Sequence, residues 1–262
     1  MNKLVKFYDR PQLNNPNLIA AWPGIGNVSL LVATYLAKKL DFKKLGEIDA
    51  SYFFDPVGIV VKDNIVEAPK FPQSRFYYYQ NKGGGSDIIL FIGEDQPVTS
   101  GYDLASCVLD VGLNFQMKRV YTCAAAPTHI HPSEQPGVWS VSTSTRLRDE
   151  LKAHDLLQRG NMHISGLNGL LLGVAKERNV DGICLLGEVP MYASKIQNPA
   201  TAMAILKVLT KMLGIKIDTG ELAREARETT SQLKQLAAEA MGEYIDTFTE
   251  PIWEHEDEEE EE

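Results

Sequence analysis

Four stretches of this chain carry residue types at spacings that could do chemistry. In Trp22-Pro23-Gly24-Ile25-Gly26-Asn27-Val28 two glycines stand between an apolar run and an amphipathic one. Glycine allows backbone conformations and close approaches that a side chain would block. Such a turn offers amide groups at a helix start, where an anion, a carboxylate or a partner's carbonyl can be held. Gly24-x-Gly26-x-x-Ser29, with Asp49 further on, comes near a dinucleotide fingerprint. Its third glycine is a serine, and Asp49 stands at the start of its expected strand, where a ribose carboxylate belongs at the end. No Gly-Lys-Ser/Thr occurs, which excludes a Walker loop.

Glu94, Asp95 and Glu188 each follow an apolar run, at the edge where α/β sheets bind ligands. Paired carboxylates there suit acid–base chemistry or a sugar hydroxyl. The plainer expectation is that they bind loop amides, cap helices or pair across an interface. Asn168 and Gly169 lie in a second glycine turn, and Tyr192 follows a third. Gly24, Gly26, Asn27, Glu94, Asp95, Asn168, Gly169, Glu188 and Tyr192 therefore make up the expected pocket or interface, with no catalytic residue among them. His129-x-His131 sits in a proline-bounded loop with only Glu134 nearby, too few ligands for a metal site. Gly-x-Ser-x-Gly, His-Glu-x-x-His and Cys-x-x-Cys are all absent.

The elements that must position these residues alternate. Apolar runs at 18–22, 88–92 and 183–187 read as buried strands, each ending in a glycine-bearing turn. Helices are expected at 28–40, 102–116, 146–158, after the turn at 165–173, and at 200–213. Further strands are expected at 48–53, 75–80, 120–126 and 138–142, with a hairpin over 58–67 turning at Asp63-Asn64. Tyr77-Tyr78-Tyr79 fits a half-buried strand better than a base-stacking platform, since no cationic groove surrounds it. The pattern implies an α/β protein with a mixed, largely parallel sheet covered by helices on both faces. Residues 1–217 form the expected core domain. Leu222, Ala226, Leu233, Leu236, Ala240 and Tyr244 fall near heptad spacing in a helical segment over 218–249. A disordered acidic tail is expected over 250–262.

Composition narrows the function classes. The net charge of −9 is local, because residues 254–262 hold eight acids; without them 27 acids face 26 Lys plus Arg. A near-neutral body with no basic patch argues against nucleic acid. No run of roughly 18 apolar residues calls for a membrane, and the first residues lack a signal-peptide core. Cys107, Cys123 and Cys184 stand far apart in apolar contexts, as reduced thiols of a cytoplasmic protein do.

Trp22–Val28, Gly93-Glu94-Asp95-Gln96-Pro97, Ser165-Gly166-Leu167-Asn168-Gly169-Leu170-Leu171-Leu172-Gly173 and Gly187-Glu188-Val189-Pro190-x-Tyr192 with Asn198-Pro199 occur in this order. Together they resemble the proteasome assembly chaperone 2-like family of archaea and bacteria, over about residues 15 to 240. The resemblance implies a sandwich similar to nucleoside phosphorylases and an ATP-independent, non-enzymatic assembly role without a cofactor. It also implies homo-oligomers, commonly trimers or tetramers, and a proteasome subunit or other protein as partner. Some relatives dock through a C-terminal hydrophobic-Tyr-any tripeptide. This chain ends Glu260-Glu261-Glu262, so docking by that route is not expected. The alternative from the same fold likeness is a nucleoside-like small-molecule binder or enzyme, with the Gly24–Asn27 turn on an anion, Glu94 or Glu188 on a sugar, and Arg146, Arg148 or Lys195 supplying the cation.

Overall fold

The computed structural model describes residues 4–249 apart from Val57, Asp155 and residues 158–160. The expected acidic tail and Pro251 lie outside these described residues. In chain order the elements are β1 Val5–Phe7, β2 Asn17–Ala21, α1 Val28–Lys39, β3 Lys43–Ile48, β4 Val61–Lys62, β5 Ile65–Val66, β6 Ser74–Tyr79 and β7 Ile88–Gly93. There follow α2 Gly101–Asn114, β8 Arg119–Thr128, β9 Val138–Ser142, α3 Thr145–Leu151, α4 Leu167–Glu177, β10 Gly182–Pro190, α5 Pro199–Leu213 and α6 Gly220–Thr249.

Eight strands form one sheet in the order β1-β3-β6-β7-β2-β8-β10-β9. The central four, β7, β2, β8 and β10, are parallel. β1, β3 and β6 extend one side and β9 the other, all by antiparallel pairing. β2 alternates its side chains between two cores. Leu18 and Ala20 pack with α2 and α4, through Leu104, Val108, Leu171 and Val174. Ile19 and Ala21 pack with α1 and α5, through Val32, Leu36, Ile205 and Leu209. A continuously apolar strand is what burial on both faces requires, and Ile88-Ile89-Leu90-Phe91 repeats it on β7. The sheet is thus mixed and largely parallel at its centre, between two helical layers.

Two expected elements differ. The strand expected at 48–53 is not formed: β3 precedes it and shares only Ile48, and Ala50–Tyr52 is a 3-10 turn, because Asp49 accepts hydrogen bonds from the Ser51 amide and hydroxyl, a local turn that competes with the ladder. The helix expected over 146–158 stops at Leu151. Ser144 caps it by accepting from the Leu147 amide. Beyond it the chain turns away, and the Leu157 amide donates to the Val138 carbonyl at 2.8 Å. α6 packs on α5 with Leu222, Ala226 and Leu233 buried; the side chains of Leu236, Ala240 and Tyr244 lie outside the described set.

Candidate functional site

The site grows from a difference in strand length. The last β2–β8 partners are Ala20 and Thr122, whereas β8 and β10 stay paired as far as Thr128 and Pro190. Six further residues at about 3.3 Å each carry this two-stranded projection roughly 20 Å past β2. The turn after β2 and the loop before α4 sit against it. Between them lies a cleft of about 580 Å³, lined by Gly24, Ser29, Gln96, Ala124, Ala125, Ser165 and Asn168 among others. A groove of about 650 Å³ shares Gly24, Ile25 and Pro127 with it and adds Gly26, Asn27, Met191 and Lys195. This is the carboxyl edge of the parallel strands, beside the point where the strand order departs on both sides of β2, where α/β sheets place ligands.

The turn is a rigid corner. Gly26 takes φ +59°, a left-handed value that glycine adopts at little cost, and Asn27 follows at φ 51°. A Cβ on Gly26 would meet the Asn198 Cβ at 3.3 Å and the Ile196 carbonyl at 3.4 Å. Three amides of the turn are already used: Gly26 donates to the Ser194 carbonyl, Asn27 to Gly24 and Val28 to Ile25. Asn27 occupies the N-cap position of α1 without a side-chain cap bond. Ser29 turns inward instead, donating to Asn168 Oδ1 at 3.1 Å.

Asn168 is the buried tie of the edge. Its Oδ1 also accepts from the Trp22 amide at 3.1 Å, and its Nδ2 donates to the Trp22 carbonyl at 3.2 Å. Gln96 makes a second tie, with Nε2 donating to the Pro23 carbonyl and Oε1 accepting from the Leu167 amide at 2.8 Å. The N-terminus of α4 is thereby capped from another loop. Gln96 was not among the expected site residues. It stands in the Gly93–Pro97 motif, but its partners lie more than seventy residues away, so no local pattern shows what it ties.

Of the expected residues, the structure brings Gly24, Gly26, Asn27 and Asn168 to the cleft and groove. Gly169 is a packing position, since a Cβ there would fall 2.4 Å from the Ile164 carbonyl. Glu94 and Glu188 are used alike. Each exchanges a backbone amide bond with a loop residue and accepts that loop with its carboxylate: Glu94 with Gln73, Glu188 with Gly137. Asp95 accepts from the Gln96 amide. Tyr192 is exposed beside Met191. Arg146 does not reach the cleft, because it pairs with Asp181 at the opposite edge, and Arg148 pairs with Asp149 on α3. Lys195 alone of those three lines the groove.

The cleft therefore offers little reactive chemistry. Among its described lining residues there is no arginine, lysine, aspartate or glutamate. Among the described residues no group of three or more His, Cys, Asp or Glu is placed to hold a metal. The His131 ring instead accepts from the Ser133 amide. All three cysteines are buried, and none is in a disulfide. Burial pushes the Cys107 thiol up to about 12 and Cys184 to about 11, and raises Cys123 as well, so thiolate nucleophiles are disfavoured. Among the described residues no helix is long and apolar enough to cross a membrane.

The carboxyl edge is instead apolar. The side chains of Ile25, Tyr52, Ile59, Val60, Val61, Ile65, Val66, Val98, Tyr102, Leu157, Leu170, Met191 and Tyr192 are exposed. All lie in segments that leave or reach this edge. The register of β3 on β6 and of β6 on β7 puts the end of β3 there too. Among the described residues, Tyr8 and Leu113 are the large exposed apolar residues found elsewhere.

Comparison with known proteins agrees with this picture. A model of the PAC2 family matches residues 18–237. An uncharacterised protein of Methanocaldococcus jannaschii is 31% identical over 225 residues, covering 85% of this chain and 83% of the relative. The structure of Pyrococcus furiosus PbaB, described as an archaeal proteasome activator, is similar with a TM-score of 0.76 and 28% identity, over 89% of this chain and 98% of that one. Pyrococcus furiosus PbaA, described as an archaeal homologue of proteasome-assembly chaperone, is similar with a TM-score of 0.66 and 26% identity, over 88% and 96% of the two chains.

Proposed function

Because the chain belongs to the PAC2 family, we propose that it is a non-enzymatic protein that self-assembles and binds a protein partner, in the manner of a proteasome-assembly chaperone. The observation that carries this reading is the apolar carboxyl edge. Large apolar side chains left exposed on a folded domain and gathered at one edge favour contact with another macromolecule. The same edge spends its polar groups on itself: Asn168, Gln96, Glu94 and Glu188 all close loops. A proteasome subunit is the partner suggested by the descriptions of PbaB and PbaA. The mass in solution tests the assembly step. Light scattering is expected to return a multiple of the 29.1 kDa chain, and a strict monomer across the concentration range overturns it.

A second reading, a binder or enzyme for nucleoside-like molecules, draws on the 580 Å³ cleft, a size that suits a small ligand. Against it stand the used amides of Gly26 and Asn27 and a described cleft lining without arginine, lysine, aspartate or glutamate. A thermal-shift series with nucleosides, nucleotides and phosphate decides, and no shift with any of them removes this reading.

A further inference from the structure

We infer that the β4–β5 hairpin is an intersubunit arm, covered on both faces by a second copy of this chain. The inference rests on the self-assembly proposed above and names the surface that performs it. The hairpin is well formed: Asp63 and Asn64 take φ 50° and 61°, the left-handed pair that a two-residue hairpin turn demands. Val61 pairs with Val66 and Lys62 with Ile65, and the Glu67 amide extends the ladder to the Val60 carbonyl at 2.8 Å.

Directly opposed residues share a face, and faces alternate along a strand. Ile59, Val61 and Val66 therefore stand on one face, and Val60 and Ile65 on the other between Lys62 and Glu67. An arm lying on its own body would bury its apolar face. This one leaves apolar side chains in the open on both faces, wholly on one and alternating with charge on the other, and Ile59, Val60, Val61, Ile65 and Val66 are 54% to 71% exposed. The hairpin is also a separate two-stranded sheet, hydrogen-bonded to no other strand among the described residues. Isolated two-stranded sheets are marginal in water and need something to pack against.

Five such side chains present on the order of 400 Å² of apolar surface, the size at which a patch marks a contact. With Tyr52 and Val98 on the same edge, the surface moves toward the about 800 Å² that each partner gives to a stable interface. Charge favours a second copy over an oppositely charged partner. Lys62 and Lys70 balance Asp63 and Glu67 along the arm, and Lys70 already pairs with Glu67 at 2.7 Å. Two identical arms therefore meet without net repulsion, and Lys62 of one copy can face Asp63 of the other. The outer edges of both strands are also open to edge pairing.

The test uses the full chain with Ile65→Glu and Val66→Glu together, at exposed positions outside the core. Light scattering over a dilution series is expected to show the wild type as a multimer and the variant dissociating at concentrations about 100-fold higher, as loss of a central apolar contact requires. Far-ultraviolet circular dichroism checks that the variant is folded. Hydrogen exchange on the wild-type multimer is expected to show protected amides at Val61 to Val66, and unprotected amides there overturn the inference whatever the variant does. A variant as multimeric as a multimeric wild type overturns it too, while leaving self-assembly intact. A wild type that is monomeric throughout overturns the self-assembly itself.

Discussion

The two edges of the parallel strands are built on opposite plans. At the amino edge charged groups pair with one another around one buried arginine. Arg119, at the start of β8, is buried and makes a two-pronged bond to Glu150 at 2.9 and 3.0 Å, with the Tyr121 hydroxyl at 3.4 Å and Asp181 at 4.0 Å. Arg146 closes the cluster onto Asp181 and Glu150. Nearby, Asp87 accepts from the amides of Asn14 and Asn81 and ties three chain segments. At the carboxyl edge the amide side chains of Asn168 and Gln96 and the carboxylates of Glu94 and Glu188, unpaired with any charge among the described residues, hold turns and loops through backbone groups, and apolar tips point out. A surface that satisfies its own polar groups and hides its apolar ones is finished. One that satisfies its polar groups and leaves apolar ones outside is prepared for a partner.

The largest effect is expected where the carboxyl edge is held together. Asn168→Ala strands the Trp22 amide and carbonyl and the Ser29 hydroxyl in a buried place. Urea unfolding is expected to show a loss of about 3 kcal/mol. A loss below about 1 kcal/mol would mean that this edge is loose, and the contrast would then be one of order rather than of chemistry. Arg119→Ala comes next, at about 2 to 3 kcal/mol, because Glu150 remains partly in water and is less stranded than a fully buried partner. The contrast also requires that Arg119→Ala leave the assembled mass unchanged. Gly26→Ala should cost about 1 to 2 kcal/mol, from the left-handed backbone and the close Asn198 and Ile196. A neutral outcome would show the turn to be adaptable, as an anion-binding loop can be and a fixed corner cannot.

How legible each edge is in the sequence follows from these plans. The layers were readable because burial on both faces leaves an uninterrupted apolar run, as at Ile88-Ile89-Leu90-Phe91, and glycine turns punctuate the strand ends. The hairpin was readable from Asp63-Asn64 between apolar pairs. Which turns converge was not, since Asn168 and Gln96 act on partners fixed only by the strand order β7-β2-β8. Asn168 was noticed for its place in a glycine turn, not for its tie to Trp22. Arg146 and Arg148 read as possible anion ligands because a sequence does not say at which edge a helix starts. The strand expected over 48–53 is a turn following β3 for a local reason, the Asp49 side chain bonding the Ser51 amide, which a scan for apolar alternation does not weigh.

The smallest expected effect is the pH dependence of the amino-edge cluster, and it sharpens the contrast because the carboxyl-edge cleft has no counterpart charge. The hydrogen bond from Arg119 holds the Glu150 carboxyl below its ordinary 4.5, reinforced by the charges of Arg119, Arg146 and Lys118. A depressed carboxylate contributes stability that is complete above its unfolded value and is lost as pH falls through its folded one. The wild type should therefore begin to lose this contribution below about pH 4.5. The arginine loses no proton in that range, so the whole effect falls on the acid limb. Asp149, Asp218 and Glu221 are also depressed, Glu221 to about 2 by Lys38 and Lys39, and they set a background slope in the same direction. Glu150→Gln keeps the side chain's shape and removes only its share, so its stability should fall less steeply from pH 4.5 downward while that background remains. Equal slopes for wild type and variant in acid urea titrations would show that Glu150 is held by solvent rather than by Arg119. The amino edge would then be merely exposed charge, without the pairing of charge with charge that distinguishes it from the other.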